Sequence, residues 1–379
     1  MDEWKEYKLG EVAVFGTEKL SSSLVSLENY ISTENMLPNK GGIEQADKKP
    51  ENGLITHYCN GDILISNIRP YFKKIWLADR TGGCSNDVLC IRPKIEDLNN
   101  TFLFYVLSQD DFFEYVMLGS KGCKMPRGDK SHIMNFQVVV PPLSEQKRIV
   151  SILGSLDDKI DLLHQENKTL EAMAETLFRK WFIEEVRQDV LLGNVVETTS
   201  GGTPSRKNEK YYQNGTIDWV KSKELNRSFL LKTEEKITVE AVENSSAKFL
   251  PANSVLIAMY GATVGECAII AKEMTCNQAV CALKPNDNYP YTYLYLWAKF
   301  MQDEFLNLAC GAAQQNISQV LIKQQQVCSD VDAVKQFHSI VEPFFEKLKQ
   351  NEMQLSSLEE MKNVILPKLM NNELNINEL

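Results

Sequence analysis

Two stretches of the chain place apolar residues at alternating steps of four and three. The first predicts a helix from about Ser144 to Glu185, with an apolar seam from Ile149 to Trp181 that only Asn167 interrupts. The second lies 188 positions further on, where Leu170-Glu171-Ala172-Met173 returns as Leu358-Glu359-Glu360-Met361. Because one helix cannot bury such a seam alone, we expect the two helices to pair.

The polar positions in these seams define a register. The second seam runs from Phe337 to Leu369 and carries Asn351 and Lys362. An asparagine in a seam is costly unless it meets another polar group. We therefore predict an antiparallel coiled coil in which partner positions sum to 518, because this register places Asn167 opposite Asn351. The same register pairs Ala174 with Phe344 and Lys362 with Leu156.

Gly154 and Pro343 could interrupt these helices, since glycine costs backbone entropy and proline removes a helical hydrogen bond. Ser155 followed by Asp158 offers a new N-terminal cap. The first rod therefore starts either near residue 144 or, after a short helix, near residue 155. In both cases it is a spacer of fixed length.

Outside the seams, the pattern changes to short β-rich runs interleaved with helical stretches. Asp62–Ser66 and Val88–Ile91 are predicted strands, Phe102–Leu118 is helical, and strand Gln137–Val140 ends at the pair Pro141-Pro142. Residues 1–143 are thus expected to form an α+β domain, followed by helix 144–188. Residues 189–329 form a second domain, and residues 330–379 the C-terminal helix.

The second domain repeats the first. Leu9-Gly10-Glu11-Val12 is echoed by Leu192-Gly193-Asn194-Val195, and Cys84–Pro93 by Cys276–Pro285, with spacings between 183 and 192 positions. Such self-similarity predicts two copies of one fold with loop insertions. The predicted class is α+β, with two globular domains alternating with two long paired helices and an internal pseudo-two-fold symmetry. That symmetry matches a duplex DNA site read in two halves.

The net charge of −10 argues at first against a nucleic-acid partner. The two helical segments, however, account for −6 of it, and the globular parts for only −4. Local basic clusters can therefore dominate one face.

The N-terminus carries charges without an apolar run, which argues against a signal peptide. The apolar stretch Val255–Ala271 contains Gly261, Gly265 and Glu266, which argues against a membrane span. Nine cysteines without a C-x-x-C pair favour a reduced, cytoplasmic protein without structural zinc.

Basic residues cluster twice in the first domain, with aromatic residues between them. Arginine can read guanine, lysine can hold phosphate, and aromatic rings can stack or wedge. Glycine-rich and polar loops mark the second domain, at Ser200–Arg206, Tyr260–Thr263 and Gly311–Asn316. Taken singly, each cluster is more often a solvated loop or an ordinary turn. The basic and aromatic residues are Arg69, Lys73, Lys74, Arg80, Lys121, Lys124, Arg127 and Lys130, with Tyr71, Phe72 and Trp76.

Catalytic motifs are missing from the sequence. It has no P-loop, no G-x-G-x-x-G after a strand and no metal-ligand spacing, and Pro141-Pro142 lacks the flanking residues of an amino-methyltransferase motif. Glu234-Glu235-Lys236 is only faintly similar to a nuclease carboxylate-lysine pair. We therefore predict a non-catalytic protein.

Together the motifs resemble the specificity subunit of type I restriction-modification systems, over essentially the whole chain. Pro141–Val150 looks like the junction between a recognition domain and the conserved helix in that family. The second junction, Cys328-Ser329-Asp330-Val331, departs from the pattern. The other matching segments are Ser66–Tyr71, Gly83–Asp87, Lys124–Lys130, Ser200–Ser205, Tyr260–Gly265, Cys276–Val280 and Gln315–Ser318.

The resemblance implies two target recognition domains that each read half of a bipartite DNA site, with helices that set the gap. It also implies two modification subunits that methylate adenine with S-adenosylmethionine, and an ATP- and Mg²⁺-dependent restriction subunit. The proposed DNA-contacting residues of the first domain are Asn67, Arg69, Tyr71, Lys73, Lys74, Asn86, Lys124, Arg127 and Lys130. Those of the second are Gly201, Gly202, Thr203, Ser205, Arg206, Lys221, Tyr260, Gln314, Gln315 and Asn316.

A rival from another class is a structural adaptor whose coiled coil joins two protein-binding domains. Sequence-specific protection of DNA by the chain with a methyltransferase partner separates the two hypotheses.

Overall fold

The computed structural model describes residues 4–122, 124–185, 188–310 and 316–373. The chain forms two compact units, Met1–Asp158 with Glu360–Leu379, and Lys159–Glu359. Each unit contains a globular α+β domain together with part of each of two long helices. Among the described residues, no helix combines the length and the apolar character needed to cross a bilayer.

The domain of the first unit has two four-stranded sheets, ordered β2-β9-β6-β7 and β3-β5-β8-β4, and an antiparallel pair of β1 with β10. Its strands are β1 (Lys5–Lys8), β2 (Ala13–Phe15), β3 (Lys19–Ser21), β4 (Tyr30–Ile31), β5 (Leu54–Tyr58), β6 (Ile63–Ser66), β7 (Ile75–Leu77), β8 (Gly82–Cys84), β9 (Val88–Pro93) and β10 (Gln137–Val140). Its helices are α1 (Leu9–Val12), α2 (Asn100–Leu107), α3 (Asp110–Leu118) and α4 (Lys130–Ile133), and the long helix α5 (Leu143–Phe182) follows.

The domain of the second unit has a five-stranded sheet, β12-β19-β16-β17-β14, a three-stranded sheet, β15-β13-β18, and the pair β11-β20. Its strands are β11 (Asp189–Leu191), β12 (Glu197–Ser200), β13 (Ile217–Val220), β14 (Phe229–Leu230), β15 (Lys236–Ile237), β16 (Val255–Ala258), β17 (Cys267–Ile270), β18 (Thr275–Cys276), β19 (Val280–Lys284) and β20 (Gln326–Cys328). Its helices are α6 (Leu192–Val195), α7 (Val239–Glu243), α8 (Tyr291–Phe300), α9 (Gln302–Cys310) and α10 (Gln319–Lys323), and the long helix α11 (Val331–Met370) follows.

The two domains share one topology, which confirms the predicted duplication. The order β2-β9-β6-β7 recurs as β12-β19-β16-β17, and the parallel pair of β4 with β8 recurs as β13 with β18. The closing pair β1-β10 recurs as β11-β20. Strands β3 and β5 are additions of the first domain, whereas β14, β15 and α7 are additions of the second.

The central strands β6 and β16 are buried along their whole length because both of their faces are covered. In β6, Ile63 and Ile65 pack towards the helices, while Leu64 packs towards the second sheet. In β16, Val255 and Ile257 face the helices in the same way. This two-sided burial explains why these strands read as continuous apolar runs rather than as alternating ones.

The predicted helix Phe102–Leu118 is two helices, α2 and α3. The Asn99 side chain accepts a hydrogen bond from the Phe102 amide and caps the start of α2. At the other end, the Ser108 hydroxyl donates to the Phe104 carbonyl, and Gln109 turns to an extended conformation before α3 begins. The chain therefore changes direction at a position that carries neither glycine nor proline.

Helices α5 and α11 are each continuous over 40 residues, so the expected start of the first rod near residue 155 is wrong. The Ser155 hydroxyl donates to the Ile152 carbonyl within the helix instead of capping a new one. Buried Ile149 and Leu153 hold this part of α5 in the core of the first unit. Such packing outweighs the cost of one glycine, about 1 kcal/mol, or of one proline, about 3 kcal/mol. On α11, Val341 and Phe345 anchor the helix on both sides of Pro343.

In the second unit the two helices are antiparallel and in the expected register. The Asn351 Nδ2 atom donates to Asn167 Oδ1 at 2.8 Å, and Asn167 Nδ2 donates to Glu352 Oε1 at 3.0 Å. Ala174 and Phe345 are fully buried in the core of this unit, and Phe344, the predicted partner of Ala174, packs against the same core while half-buried.

In the first unit the same register holds, but its polar layer is ionic. The Lys362 ammonium pairs with Asp157, the neighbour of Leu156 in the chain. The Tyr105 hydroxyl donates to the other Asp157 oxygen at 2.8 Å, and the Lys362 ammonium lies 5.7 Å from the Tyr105 ring centroid. Lys362 is thus held by Asp157 of α5 and by the Tyr105 ring of the globular domain. The heptad pattern predicts neither contact.

Candidate nucleic-acid interface

The connection between β6 and β7 forms a rigid tip. Arg69 and Lys73, with φ of 50° and 51°, bracket a 3₁₀ turn at Pro70–Phe72. The Phe72 amide donates to the Arg69 carbonyl at 3.0 Å, and the Lys73 amide donates to the Pro70 carbonyl at 2.8 Å. Left-handed backbone is costly for residues other than glycine, so these bonds hold a conformation that a free loop would avoid.

Three loops meet at this tip. The Asn67 amide donates to the Asp87 carbonyl at 2.9 Å, which attaches the β8–β9 connection. The Arg69 amide donates to the Pro126 carbonyl at 2.8 Å, which attaches the loop before α4. A Cβ atom on Gly128 would lie 2.7 Å from the Asn67 Oδ1 atom, so this close approach requires glycine. Segments that the sequence places tens of residues apart form one surface.

Three cations of this surface are held by acidic partners. Arg127 pairs with Asp87 at 3.1 Å. Lys73 and Lys40 pair with the two oxygens of Asp110 at 2.8 and 2.9 Å, and their contacts hold the pKa of that carboxyl below its usual value. Lys40 was missed by sequence reasoning, because it lies more than 30 positions before its partners and outside any motif.

The remaining predicted residues of this domain differ in their surroundings. Lys74 donates to the Thr33 carbonyl at 2.7 Å, and burial lowers the pKa of its ammonium. Asn86 accepts a hydrogen bond from Lys19, a second cation that the motifs did not indicate. Lys124 is exposed, and the Lys130 ammonium lies 5.7 Å from the Phe15 ring centroid.

Two aromatic rings stand at the end of the tip. Tyr71 and Phe72 are 47% and 37% exposed, with ring centroids 4.6 Å apart. Exposed rings flanked by cations are a typical arrangement for contacts with bases.

The second domain builds the same three-loop junction at its β16–β17 connection. Tyr260 precedes a 3₁₀ turn, Gly261–Thr263, and forms a β-bridge with Asn316 in the loop before α10. The Met259 amide donates to the Ala279 carbonyl at 2.8 Å, as Asn67 does to Asp87 in the first domain. The predicted residues Gln314 and Gln315 lie outside the described residues.

The glycine pair after β12 is packed against protein rather than open to a ligand. A Cβ atom on Gly201 would lie 2.1 Å from the Cys276 carbonyl oxygen, and one on Gly202 would lie 2.3 Å from the backbone of Ser246. The Gly202 carbonyl also accepts a hydrogen bond from the Trp219 indole at 3.0 Å. Close packing against protein therefore accounts for glycine at both positions without the predicted contact with phosphate.

The side chains that follow this glycine pair point to a polar edge. The Thr203 hydroxyl donates to the Gln278 side chain, and Ser205 is exposed. Arg206 forms a two-pronged ion pair with Glu235, and Lys221 pairs with the same carboxylate at 2.7 Å.

Arg206 is also fixed by rings. Its guanidinium carbon lies 4.1 Å from the Tyr212 ring centroid and 5.3 Å from that of Trp219. The arginine, with smaller help from Lys221, lowers the pKa of Glu235 to about 2. This carboxylate is therefore committed to two cations, which removes the basis for the faint nuclease likeness of Glu234-Glu235-Lys236.

Among the residues that the structure describes, no group of three or more His, Cys, Asp or Glu side chains could hold a metal ion.

A family model described as "Type I restriction modification DNA specificity domain" matches residues 1–172 and again residues 185–328. The HindI specificity subunit of Haemophilus influenzae is 23% identical over 99% of this chain and 100% of its own length. The MjaIX specificity subunit of Methanocaldococcus jannaschii is 25% identical over 76% of this chain and 72% of its own. The EcoR124I/EcoR124II specificity subunit of Escherichia coli is 30% identical over 52% of each.

Among solved structures, the S subunit of a type I restriction-modification system from M. genitalium has the same fold. It aligns with a TM-score of 0.61 and 15% sequence identity, covering 97% of this chain and 96% of that one.

Proposed function

The chain belongs to the family of type I restriction modification DNA specificity domains, and from that premise we propose how it recognises DNA. It is a non-catalytic subunit that selects DNA sequence for a restriction-modification complex. Each domain reads one half of a bipartite target through the three loops that meet at its hairpin tip. The loops are the β6–β7, β8–β9 and pre-α4 connections, and their counterparts in the second domain.

The observation that supports this assignment is the recurrence of one junction in two domains. In both, backbone hydrogen bonds join the tip to the other two loops, while the side chains on the loops differ. Fixed backbone with variable side chains suits a surface that must present different donors and acceptors to different base pairs.

The finer partner assignment is that two modification subunits dock on the long helices. Met173 and Met361, which are 188 positions apart, are 47% and 48% exposed. Exposed methionines at equivalent positions suit two copies of one partner, because an apolar side chain on a helix surface gains by being covered. Those subunits would supply adenine methylation with S-adenosylmethionine, and a restriction subunit would use ATP and Mg²⁺.

The test is to co-express the chain with its methyltransferase and to sequence the methylated DNA at single-molecule level. We expect one motif with two specific halves and an unspecified gap. Adding one heptad to each long helix lengthens each by about 10 Å, at 1.5 Å per residue. The gap should then grow by about three base pairs, at 3.4 Å each, while both halves stay unchanged.

A motif without two halves would contradict reading by two domains. A gap that stays the same after the insertions would contradict the helices as a ruler, even if both halves are still read. As a control, an insertion of equal length in the exposed Lys48–Asn52 loop should leave the gap unaltered.

A further inference from the structure

We propose that each domain holds DNA backbone phosphate with a braced cation pair, in which one carboxylate fixes two cations side by side. In the first domain the pair is Lys40 and Lys73 on Asp110. In the second it is Arg206 and Lys221 on Glu235. The proposal rests on the proposed function and adds Lys40, Asp110 and Glu235 to the residues that serve it.

The geometry of the first pair places two ammonium groups on one anion. The Lys73 ammonium lies 2.8 Å from Asp110 Oδ2, and the Lys40 ammonium lies 2.9 Å from Asp110 Oδ1. Because they contact the two oxygens of one carboxylate, the ammonium groups are close enough to share a second anion. The Lys40 amide also donates to the Lys73 carbonyl at 2.9 Å, which ties the two loops together.

The second pair is more rigid. Both terminal nitrogens of Arg206 contact Glu235, and the Lys221 ammonium reaches Glu235 Oε2 at 2.7 Å. Tyr212 and Trp219 pack against the guanidinium, so the arginine plane is fixed before any ligand arrives. Pre-ordered cations lose less conformational entropy on binding than free side chains do.

Charge counting favours phosphate as the ligand of these groups. Two cations and one carboxylate leave a net charge of +1, which one phosphodiester group balances. All four cations keep part of their surface exposed, between 24% and 54% of the side chain. Lys73 belongs to the β6–β7 tip, and Arg206 follows Thr203, whose hydroxyl donates to Gln278 on the β18–β19 connection. A phosphate contact there would fix how the loops sit on the duplex.

The competing explanation is that these ion pairs only fasten loops to each other. It predicts a lower melting temperature for variants, but no change in the dependence of DNA binding on salt. Each neutralised phosphate contributes a slope of about 0.9 to a plot of log Kd against log salt concentration. The salt slope therefore separates the two explanations.

The experiment uses the full chain in complex with its methyltransferase and a labelled random-sequence 30-base-pair duplex, titrated between 50 and 300 mM KCl. Lys40→Ala with Lys73→Ala should lower the slope by about one, and Arg206→Ala with Lys221→Ala should do the same. Binding at 100 mM KCl should weaken roughly tenfold in each double variant. Matched controls are Lys94→Ala, directly after β9, and Lys284→Ala, at the end of β19; both positions lie away from the tips.

The braces are tested with Asp110→Asn and Glu235→Gln, which keep the cations. Removing a negative charge should tighten binding to random duplex two- to threefold, whereas the preference for the methylated target over random duplex should fall. Unchanged salt slopes in both double variants would overturn the proposal, whether or not their melting temperatures fall.

Failure of the braced cation pairs as phosphate sites and failure of the proposed function give different results. If the wild-type complex shows no preference for its methylated motif, the proposed function fails whatever the slopes are. If the wild-type complex selects its motif and the double variants have the same salt slope as the wild type, only the proposed role of the braced cation pairs is wrong.

Discussion

The hairpin tips of the two domains occupy the same place in one topology but carry different chemistry. In the first domain the tip presents Arg69, Tyr71, Phe72 and Lys73 around a strained turn. In the second it presents Tyr260 before Gly261-Ala262-Thr263, with no cation on the turn itself. Main-chain hydrogen bonds anchor both tips, so the scaffold constrains the backbone and leaves the side chains free to differ.

Under the proposed function, this difference predicts that the two halves of the DNA target are read in unlike ways. The first tip suits bidentate contact with guanine and contact with unstacked or deformable steps. The second suits amide, hydroxyl and ring contacts, and the cations predicted for this domain, Arg206 and Lys221, lie on other connections, paired with Glu235. The two copies of the domain thus share one topology and differ in the side chains of the tip.

The largest expected effect comes from removing the cations of the first tip. Arg69→Ala with Arg127→Ala should change or erase the specificity of one half of the methylated motif and leave the other half intact. A lost bidentate base contact costs about 1–3 kcal/mol of discrimination, or roughly 5- to 150-fold in methylation of the original site. Single-molecule sequencing of methylated DNA measures this directly.

In the second domain, the corresponding variant is Tyr260→Ala. It should alter the specificity of the other half of the methylated motif and leave the first half intact. Lys94→Ala serves as the silent control. If the double arginine variant keeps the complete motif, these side chains do not read bases.

The two polar layers of the paired helices allow a second comparison. The layer of the second unit is a buried amide pair, Asn167 with Asn351, joined to Glu352. That of the first unit is a half-exposed ion pair, Asp157 with Lys362. The sequence repeat places Phe345 and Ala174 where the first unit has Asp157 and Lys362.

Asn351→Ala should lower the free energy of unfolding by about 1–3 kcal/mol, because Asn167 loses its partner in a buried layer. Lys362→Met should cost less than about 1 kcal/mol, because a half-exposed ion pair is screened by solvent. Urea denaturation of the full chain measures both, with the exposed Gln350→Ala as control. Equal losses would contradict the view that burial makes the amide layer the more sensitive one.

The smallest expected effect is a pH dependence of the second domain. Its ion pairs with Arg206 and Lys221 lower the pKa of Glu235 from 4.5 to about 2. A depressed pKa in the folded state stabilises the protein above the unfolded value, and this contribution is lost as the pH falls from 4.5 towards 2. Melting temperatures of wild type and Glu235→Gln should therefore differ at pH 6 and converge at low pH.

Glu234→Gln, on the exposed neighbour, is the matched control. If the melting temperature of Glu235→Gln falls with decreasing pH as steeply as that of the wild type, the acid sensitivity belongs to other groups.

The sequence by itself determined the two helices, their antiparallel register and the duplication of the domains. These features rest on periodicity and on matched polar positions, which are properties of the order of residues. Strands such as Gln137–Val140 also appear where the pattern predicts them. The family resemblance was carried by local motifs that stand unbroken in the chain.

Only the tertiary structure decided how those motifs combine. The pairing of Lys40 with Asp110, the stacking of Arg206 on Tyr212 and the hydrogen bond from Arg69 to Pro126 join residues that no spacing rule relates. It also decided that the helices continue past Gly154 and Pro343, because burial of neighbouring apolar side chains outweighs local propensity. Such contacts depend on how loops of unrelated length fold back in space, and a one-dimensional pattern does not contain that information.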